Sequence, residues 1–201
     1  VDLPGTYSLT SFSLEERVTR DFLITEKPDA IINVVDASSL KRSLYFTFQV
    51  LEMGFPVVVA LNMMDVAQRN GIEIDIGRLQ HRLGVDVIPM VGRKGKGKKE
   101  LRDAVLAVTR RKGGKVLHIA YEELEPAIQG LEEQFRRTKL VEVYPARWLA
   151  VKLVEGDSEA ERIVGLDLGL TAKELETARG IKRGFEANHY MTVADYMMGC
   201  R

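Results

Sequence analysis

Val57-Val58-Val59-Ala60-Leu61-Asn62-Met63-Met64-Asp65 decides the fold. Its first five residues are a continuous apolar run, the pattern of a parallel strand buried on both faces. Asn62 and Asp65 follow at once, so they sit at the carboxyl end of that strand, where open α/β sheets bind their ligands. A carboxylate at such a place can accept two hydrogen bonds from the N1–H and 2-amino group of guanine, a pattern that adenine does not offer. Asn62 donates and accepts, so it can bridge a base edge and the neighbouring loops. Alone, N-x-x-D is a weak signal, because Asn and Asp are common in turns after strands. Its weight depends on what the other strand ends carry.

Two companions stand at other strand ends. Asp2-Leu3-Pro4-Gly5 opens the chain, in a D-x-x-G expected to leave a strand at Val1. Val91-Gly92-Arg93-Lys94-Gly95-Lys96-Gly97 follows the strand-like Val85–Met90. Between these signals the pattern alternates. Ser13 and Glu16 form a capping box for a helix whose Leu14, Val18 and Phe22 recur every four residues. Ala30–Val35 reads as a buried strand ending in Asp36. Ser39 can cap a helix with Leu40, Leu44, Phe48 and Leu51 on its apolar face, and Asp75 a short helix stopped by Gly84. A helix carrying Leu101, Val105 and Val108 completes the series. Strand, helix, strand, helix predicts an α/β fold: a parallel sheet with flanking helices and right-handed crossovers. The charge run and paired glycines of Arg110–Lys115 mark a boundary. Beyond it the strand pattern largely disappears. Tyr121–Thr138, with Pro126 near its first turn, Ala146–Leu153 opened by Pro145, and Glu159–Leu166 read as helices. Thr171 and Glu174 form a second capping box, for a helix expected to break near Gly180 or Gly184. The expected division is an α/β domain over 1–112 and a small all-helical domain over 116–201.

D-x-x-G, then N-x-x-D, then a Gly-rich loop is the order of the GTPase fold, and a resemblance can be named. Asp2–Leu9 (DLPGTYSL), Lys27–Ala37 (KPDAIINVVDA), Pro56–Asp65 (PVVVALNMMD) and Pro145–Asp157 (PARWLAVKLVEGD) resemble the cytosolic GTPase region of ferrous iron transport protein B. The resemblance implies a P-loop-type GTPase domain, then a helical domain similar to a nucleotide-dissociation inhibitor, on the cytoplasmic face of the inner membrane. It implies GTP or GDP and Mg²⁺ as cofactors, and the transmembrane iron-permeation domain of the same parent protein as partner; a homo-oligomer is left open. Residue by residue, Asp2 would bind Mg²⁺ through water, and the Gly5 amide would meet the γ-phosphate. Asn62, Met63 and Asp65 would hold guanine, and the Gly92 amide would meet its O6. Arg93 and Lys94 would cover the base with their stems. Tyr7–Glu16 would be the segment that senses the γ-phosphate.

Departures from the general GTPase pattern carry expectations of their own. Met63 replaces the Lys usual in the N-K-x-D of other GTPases, a habit of this family, so the thioether stem packs on the base without an ammonium. Thr6 stands where many GTPases carry a water-orienting Gln, which predicts slow hydrolysis. No G-x-x-x-x-G-K-[ST] occurs, and the expectation is a chain that begins roughly 50 residues late. Ile31, Ile32, Val34 and Val35 would then border an unpaired apolar edge, and the chain alone would be aggregation-prone, without tight GTP affinity. Two alternatives stand beside this: a soluble assembly or signalling GTPase, and a degenerate interaction scaffold.

Bulk properties exclude other classes. The 201 residues carry 29 Lys and Arg against 29 Asp and Glu, a neutral balance that gives no reason to expect nucleic acid. One cysteine excludes an internal disulfide framework. The longest uncharged run, Met53–Met64, falls far short of the ~20 residues that span a bilayer. Met191, Met197, Met198, Cys200 and His189 invite a soft-metal reading, but Met and Cys are ordinary core filler. Arg147-Trp148 reads as core, because it sets an aromatic between Ala146 and Leu149 on a short helix.

Overall fold

The computed structural model describes residues 1–9, 13–111, 114, 116–166 and 172–201. In chain order its regular elements are α1 (Leu14–Glu26), β1 (Ile31–Asp36), α2 (Leu40–Glu52), β2 (Val57–Asn62), α3 (Met64–Arg69), α4 (Ile76–Leu83), β3 (Val87–Pro89), α5 (Lys98–Arg110), α6 (Glu125–Phe135), α7 (Ala146–Glu155), α8 (Ser158–Leu166), α9 (Ala172–Asn188) and α10 (Val193–Cys200). Two compact units result. One takes Val1–Leu9 and Thr25–Leu117; the other takes α1 up to Ile24 and His118–Arg201. Most of α1 thus groups with the helical unit, although it lies within the first 112 residues.

The α/β unit is built on a three-stranded parallel sheet in the order β1-β2-β3. Val57 to Leu61 of β2 are all buried, as their unbroken apolar run requires. Strand β1 alternates instead. Asn33 and Val35 are buried, while Ile32 and Val34 on the other face are exposed, Val34 by 65%. The buried Asn33 amide donates to the Thr47 hydroxyl of α2 at 2.6 Å, which satisfies it inside the core. The strand expected at Val1 is not formed, because residues 1–6 lie in no regular element and the free edge of β1 has no ladder partner among the described residues.

Several local expectations hold. Ser13 and Glu16 exchange the two hydrogen bonds of a capping box, and Asp75 caps α4 through the Arg78 amide at 2.8 Å. Gly84 ends α4 in the left-handed conformation, φ 70°. Others need correction. The buried face of α1 is Thr19, Arg20, Leu23 and Ile24, whereas Leu14 is 64% exposed, because the helix packs one position round from its most apolar stripe. Ser39 makes no side-chain cap; Asp36 does so one turn earlier, accepting from the Ser38 amide at 2.8 Å. Helix α9 runs unbroken through Gly180 and Gly184, since burial of Ala178 and Phe185 outweighs the roughly 1 kcal/mol cost of each glycine. The boundary glycine Gly113 and the Thr171 cap lie outside the described residues.

The helical unit is organised around α7, in which Arg147 to Val154 are all buried. Trp148 is core, as expected from its sequence context. Arg147 is fixed by Glu125 of α6 at 2.8 and 3.0 Å and by the Ile119 carbonyl at 2.7 Å. Burial pushes the Glu125 carboxyl up, but the hydrogen bonds from Arg147, the Tyr121 amide and Gln129, with the Arg147 charge, together outweigh it and hold the group below its ordinary value of 4.5. A depressed folded-state pKa gives stability that is present above 4.5 and lost as pH falls through the folded value. Glu125→Gln should therefore cost about 3 kcal/mol near neutral pH. It should also flatten the loss of stability in acid; urea unfolding of both proteins across pH 3 to 7 checks this, and parallel pH profiles would show that the pair contributes nothing.

Candidate guanine-binding edge

The candidate site forms because β2 ends abruptly. Asn62 is its last residue, and Met63 follows in the left-handed conformation, φ 63° and ψ 27°, which a residue with a Cβ rarely adopts. That turn starts α3 at Met64 and puts Asp65 in its first turn. Asn62 and Asp65 thus stand at the same end of the central strand. The Met63 side chain is exposed beside them.

The Gly-rich loop closes against this edge. Met90 donates its amide to the Leu61 carbonyl at 2.8 Å, and Met64 donates to the Met90 carbonyl at 3.2 Å. The loop then folds on itself. Val91 bridges Lys96, Lys94 donates to the Val91 carbonyl at 2.9 Å, and Gly95 donates to Gly92 at 3.0 Å. Gly97, at φ 86°, lies so close to the preceding strand that a Cβ there would meet the Pro89 carbonyl oxygen at 2.6 Å. The loop is therefore a closed turn and its basic side chains project from a fixed backbone.

Two contacts join loop and strand end. The Gly92 amide donates to Asn62 Oδ1 at 2.9 Å, so Asn62 bridges to the neighbouring loop as its chemistry suggested. In this arrangement the Gly92 amide is engaged by Asn62 and does not stand open for an incoming base. A Cβ on Gly92 would come within 3.3 Å of that same oxygen, which keeps the position small. The second contact was not foreseen: Arg93 Nη2 donates to Asp65 Oδ2 at 2.7 Å. The Arg93 hydrogen bond holds the Asp65 carboxyl below the usual carboxylate range, helped by the charges of Arg93, Lys94 and Arg69. The only sequence signal for this pair was an arginine and an aspartate just after adjacent strands. Lys94 is exposed and adds charge without contact.

Asp2 and Gly5 are both exposed, and no hydrogen bond or ion pair joins them to Asn62, Asp65 or the Gly92 loop. The segment after them is anchored, since the buried Leu9 amide donates to Gln49 Oε1 of α2 at 2.6 Å. The Thr6 hydroxyl donates to the Ser8 carbonyl at 2.7 Å, and Arg42 lies over the Tyr7 ring at 3.8 Å. Thr10 to Phe12, inside the expected sensing segment, lie outside the described residues. Among the described residues no group of three or more His, Cys, Asp or Glu could hold a metal ion. A cavity of about 640 Å³ lies elsewhere, lined by Pro56, Val57, His81 and Asp86 at the amino ends of β2 and β3.

The parallel sheet, its flanking helices and the Asn-Asp edge define the class: an α/β unit of the P-loop GTPase type followed by a small all-helical domain. The model of ferrous iron transport protein B matches residues 1–105, and that of the FeoB cytosolic helical domain matches residues 121–201. The chain belongs to the ferrous iron transport protein B family. It is 44% identical over 170 residues to the Fe(2+) transport protein A/Fe(2+) transporter FeoB fusion protein of Porphyromonas gingivalis, a match that covers 82% of this chain and 20% of that protein. The structure of mGMPPNP-bound NFeoB from S. thermophilus superposes with a TM-score of 0.81 at 33% identity, covering 98% of this chain and 73% of that one. The cytosolic domain of T. maritima FeoB in its GMPPNP form gives 0.73 at 29% identity, covering 91% and 77%. The chain spans about a fifth of the length of the curated relatives it matches.

Because the edge hinges on Met63, its backbone conformation can be tested directly. Met63→Gly should be neutral or stabilising by about 1 kcal/mol, since it removes the left-handed penalty. The β-branched Met63→Ile should cost about 2 kcal/mol. Equal midpoints and slopes for all three proteins in denaturant unfolding would show that the turn is made differently.

Proposed function

We propose that this chain is the guanine-nucleotide-binding regulatory region of a ferrous iron transporter. In the parent protein, GTP binding and slow hydrolysis would be coupled to Fe(II) uptake across the membrane. The observation that carries the reading is the pairing of Asn62 and Asp65 at the carboxyl end of the central strand, with the Gly92 loop fastened to it. Asp65 accepts from the guanine N1–H and 2-amino group; Asn62 fixes the loop that flanks the base; the stems of Met63 and Lys94 cover it. The related proteins from S. thermophilus and T. maritima, with mGMPPNP bound and in a GMPPNP form, support a guanine nucleotide here.

Mg²⁺ fits the D-x-x-G segment in one way. The described residues offer no carboxylate cluster, but Mg²⁺ commonly takes one or two carboxylates together with phosphate oxygens and water. Asp2, an exposed single carboxylate, would hold the ion through water, and the Gly5 amide would meet the γ-phosphate. The ion would neutralise developing charge on the phosphates. Thr6, its hydroxyl turned to the Ser8 carbonyl, has no side-chain amide to orient the attacking water, which supports slow intrinsic hydrolysis.

The partner is the transmembrane iron-permeation domain of the same parent protein, at the cytoplasmic face of the membrane. No helix among the described residues is long and apolar enough to cross a membrane itself. The match of residues 121–201 to the FeoB cytosolic helical domain favours this reading over a soluble signalling GTPase.

Calorimetry on the full-length protein tests the base reading. Asp65→Asn should weaken GDP about tenfold or more, because a hydrogen-bonded charge is removed from the base. It should also improve binding of xanthosine diphosphate, whose 2-oxo group accepts where guanine donates. Unchanged GDP affinity in Asp65→Asn would place the base elsewhere.

A further inference from the structure

We propose that Arg93 is an internal stand-in for the guanine base, closing the pocket until a nucleotide displaces it. The inference rests on the reading of Asp65 as the residue that recognises guanine. Guanine contains a guanidine fragment: its N1–H and 2-amino group flank one carbon and present parallel N–H donors. The arginine guanidinium presents that same planar fork, and carboxylates receive both in the same way. Arg93 Nη2 holds Asp65 Oδ2 at 2.7 Å. The base and the side chain therefore compete for one carboxylate.

The surroundings suit a gate made by a side chain. The backbone of Val91–Gly97 is closed by its own hydrogen bonds and by the tight approach of Gly97 to Pro89. Opening therefore does not require the loop to unfold. Arg93 stands at the centre of the short 3-10 turn Gly92–Lys94, and its side chain is 67% exposed, against 18% for Asp65. It can rotate into water at small cost, while the carboxylate stays in place. Lys94 and Arg69 still draw the carboxyl pKa down when Arg93 swings away.

Selectivity follows from the same competition. A guanine that displaces Arg93 returns equivalent hydrogen bonds to Asp65. An adenine would break the pair and return none, so the cost of opening it is one that guanine recovers and adenine does not. Exposed ion pairs are weak and screened by salt, so the gate should be light and sensitive to ionic strength.

Guanosine, which has no phosphates, isolates the base pocket. Its binding can be followed by NMR amide shifts in the chain as it stands and in the variants Arg93→Gln and Asp65→Ala. Loss of binding in Asp65→Ala together with an affinity for Arg93→Gln raised about two- to fivefold supports the proposal. Added salt should then tighten guanosine binding to the parent chain and leave Arg93→Gln nearly unchanged. Guanosine bound equally or more weakly by Arg93→Gln, with Asp65→Ala still inactive, overturns the gate and leaves the guanine reading intact. Undiminished binding to Asp65→Ala removes the guanine reading and the gate with it.

Discussion

Burial of β2 on both faces is the constraint from which the rest of the α/β unit follows. A strand with apolar residues on both sides must have neighbours on both edges and cover above and below. Strands β1 and β3 supply the edges in parallel register. Polar chemistry is then excluded from the strand and confined to its ends. At the carboxyl end the chain must turn sharply to begin α3, and Met63 does so in a left-handed conformation. Asn62 and Asp65 face one place because the strand stops where it does.

The Gly92 loop shows how a fixed backbone can carry mobile charge. Its turn is held by internal hydrogen bonds, by the Asn62 side chain and by glycines that permit close approach. Basic residues of the loop project outward, and one of them reaches the carboxylate of α3. The helical unit uses charge differently. There Arg147 is sealed between Glu125 and Glu132, and Glu155 is buried with Lys152 and Arg201. Burial pushes the Glu155 carboxyl up, yet its two cationic partners hold it below the usual range. Breaking such a buried pair costs far more than breaking an exposed one. The contrast is between a helical unit with buried ion pairs and a site whose cation is largely exposed.

Much of this was legible in the sequence because the relevant signals are local. The apolar run of Val57–Leu61, the capping box of Ser13 and Glu16, the cap at Asp75 and the stop at Gly84 each act within a few residues. The position of Asn62 and Asp65 followed from the strand alone. What failed to be legible depended on tertiary placement. Leu14 and Val18 have the right spacing for a buried stripe, but packing chose Thr19, Arg20, Leu23 and Ile24. Gly180 and Gly184 looked like breaks because glycine costs helix stability locally, and burial elsewhere on α9 overrode that cost. The Arg93–Asp65 pair joins the Gly92 loop to the first turn of α3 across 28 positions, and no periodicity reports such a meeting. The left-handed Met63 was equally hidden, since nothing in its side chain asks for that conformation.

A crystal structure of the chain grown with guanosine monophosphate at high concentration bears most directly on the guanine-reading edge. The base should lie against the carboxyl end of β2, with its N1–H and 2-amino group on the Asp65 carboxylate and the Arg93 guanidinium turned away into solvent. A base seated in the cavity at the amino ends of β2 and β3, with the Arg93–Asp65 pair undisturbed, would contradict it.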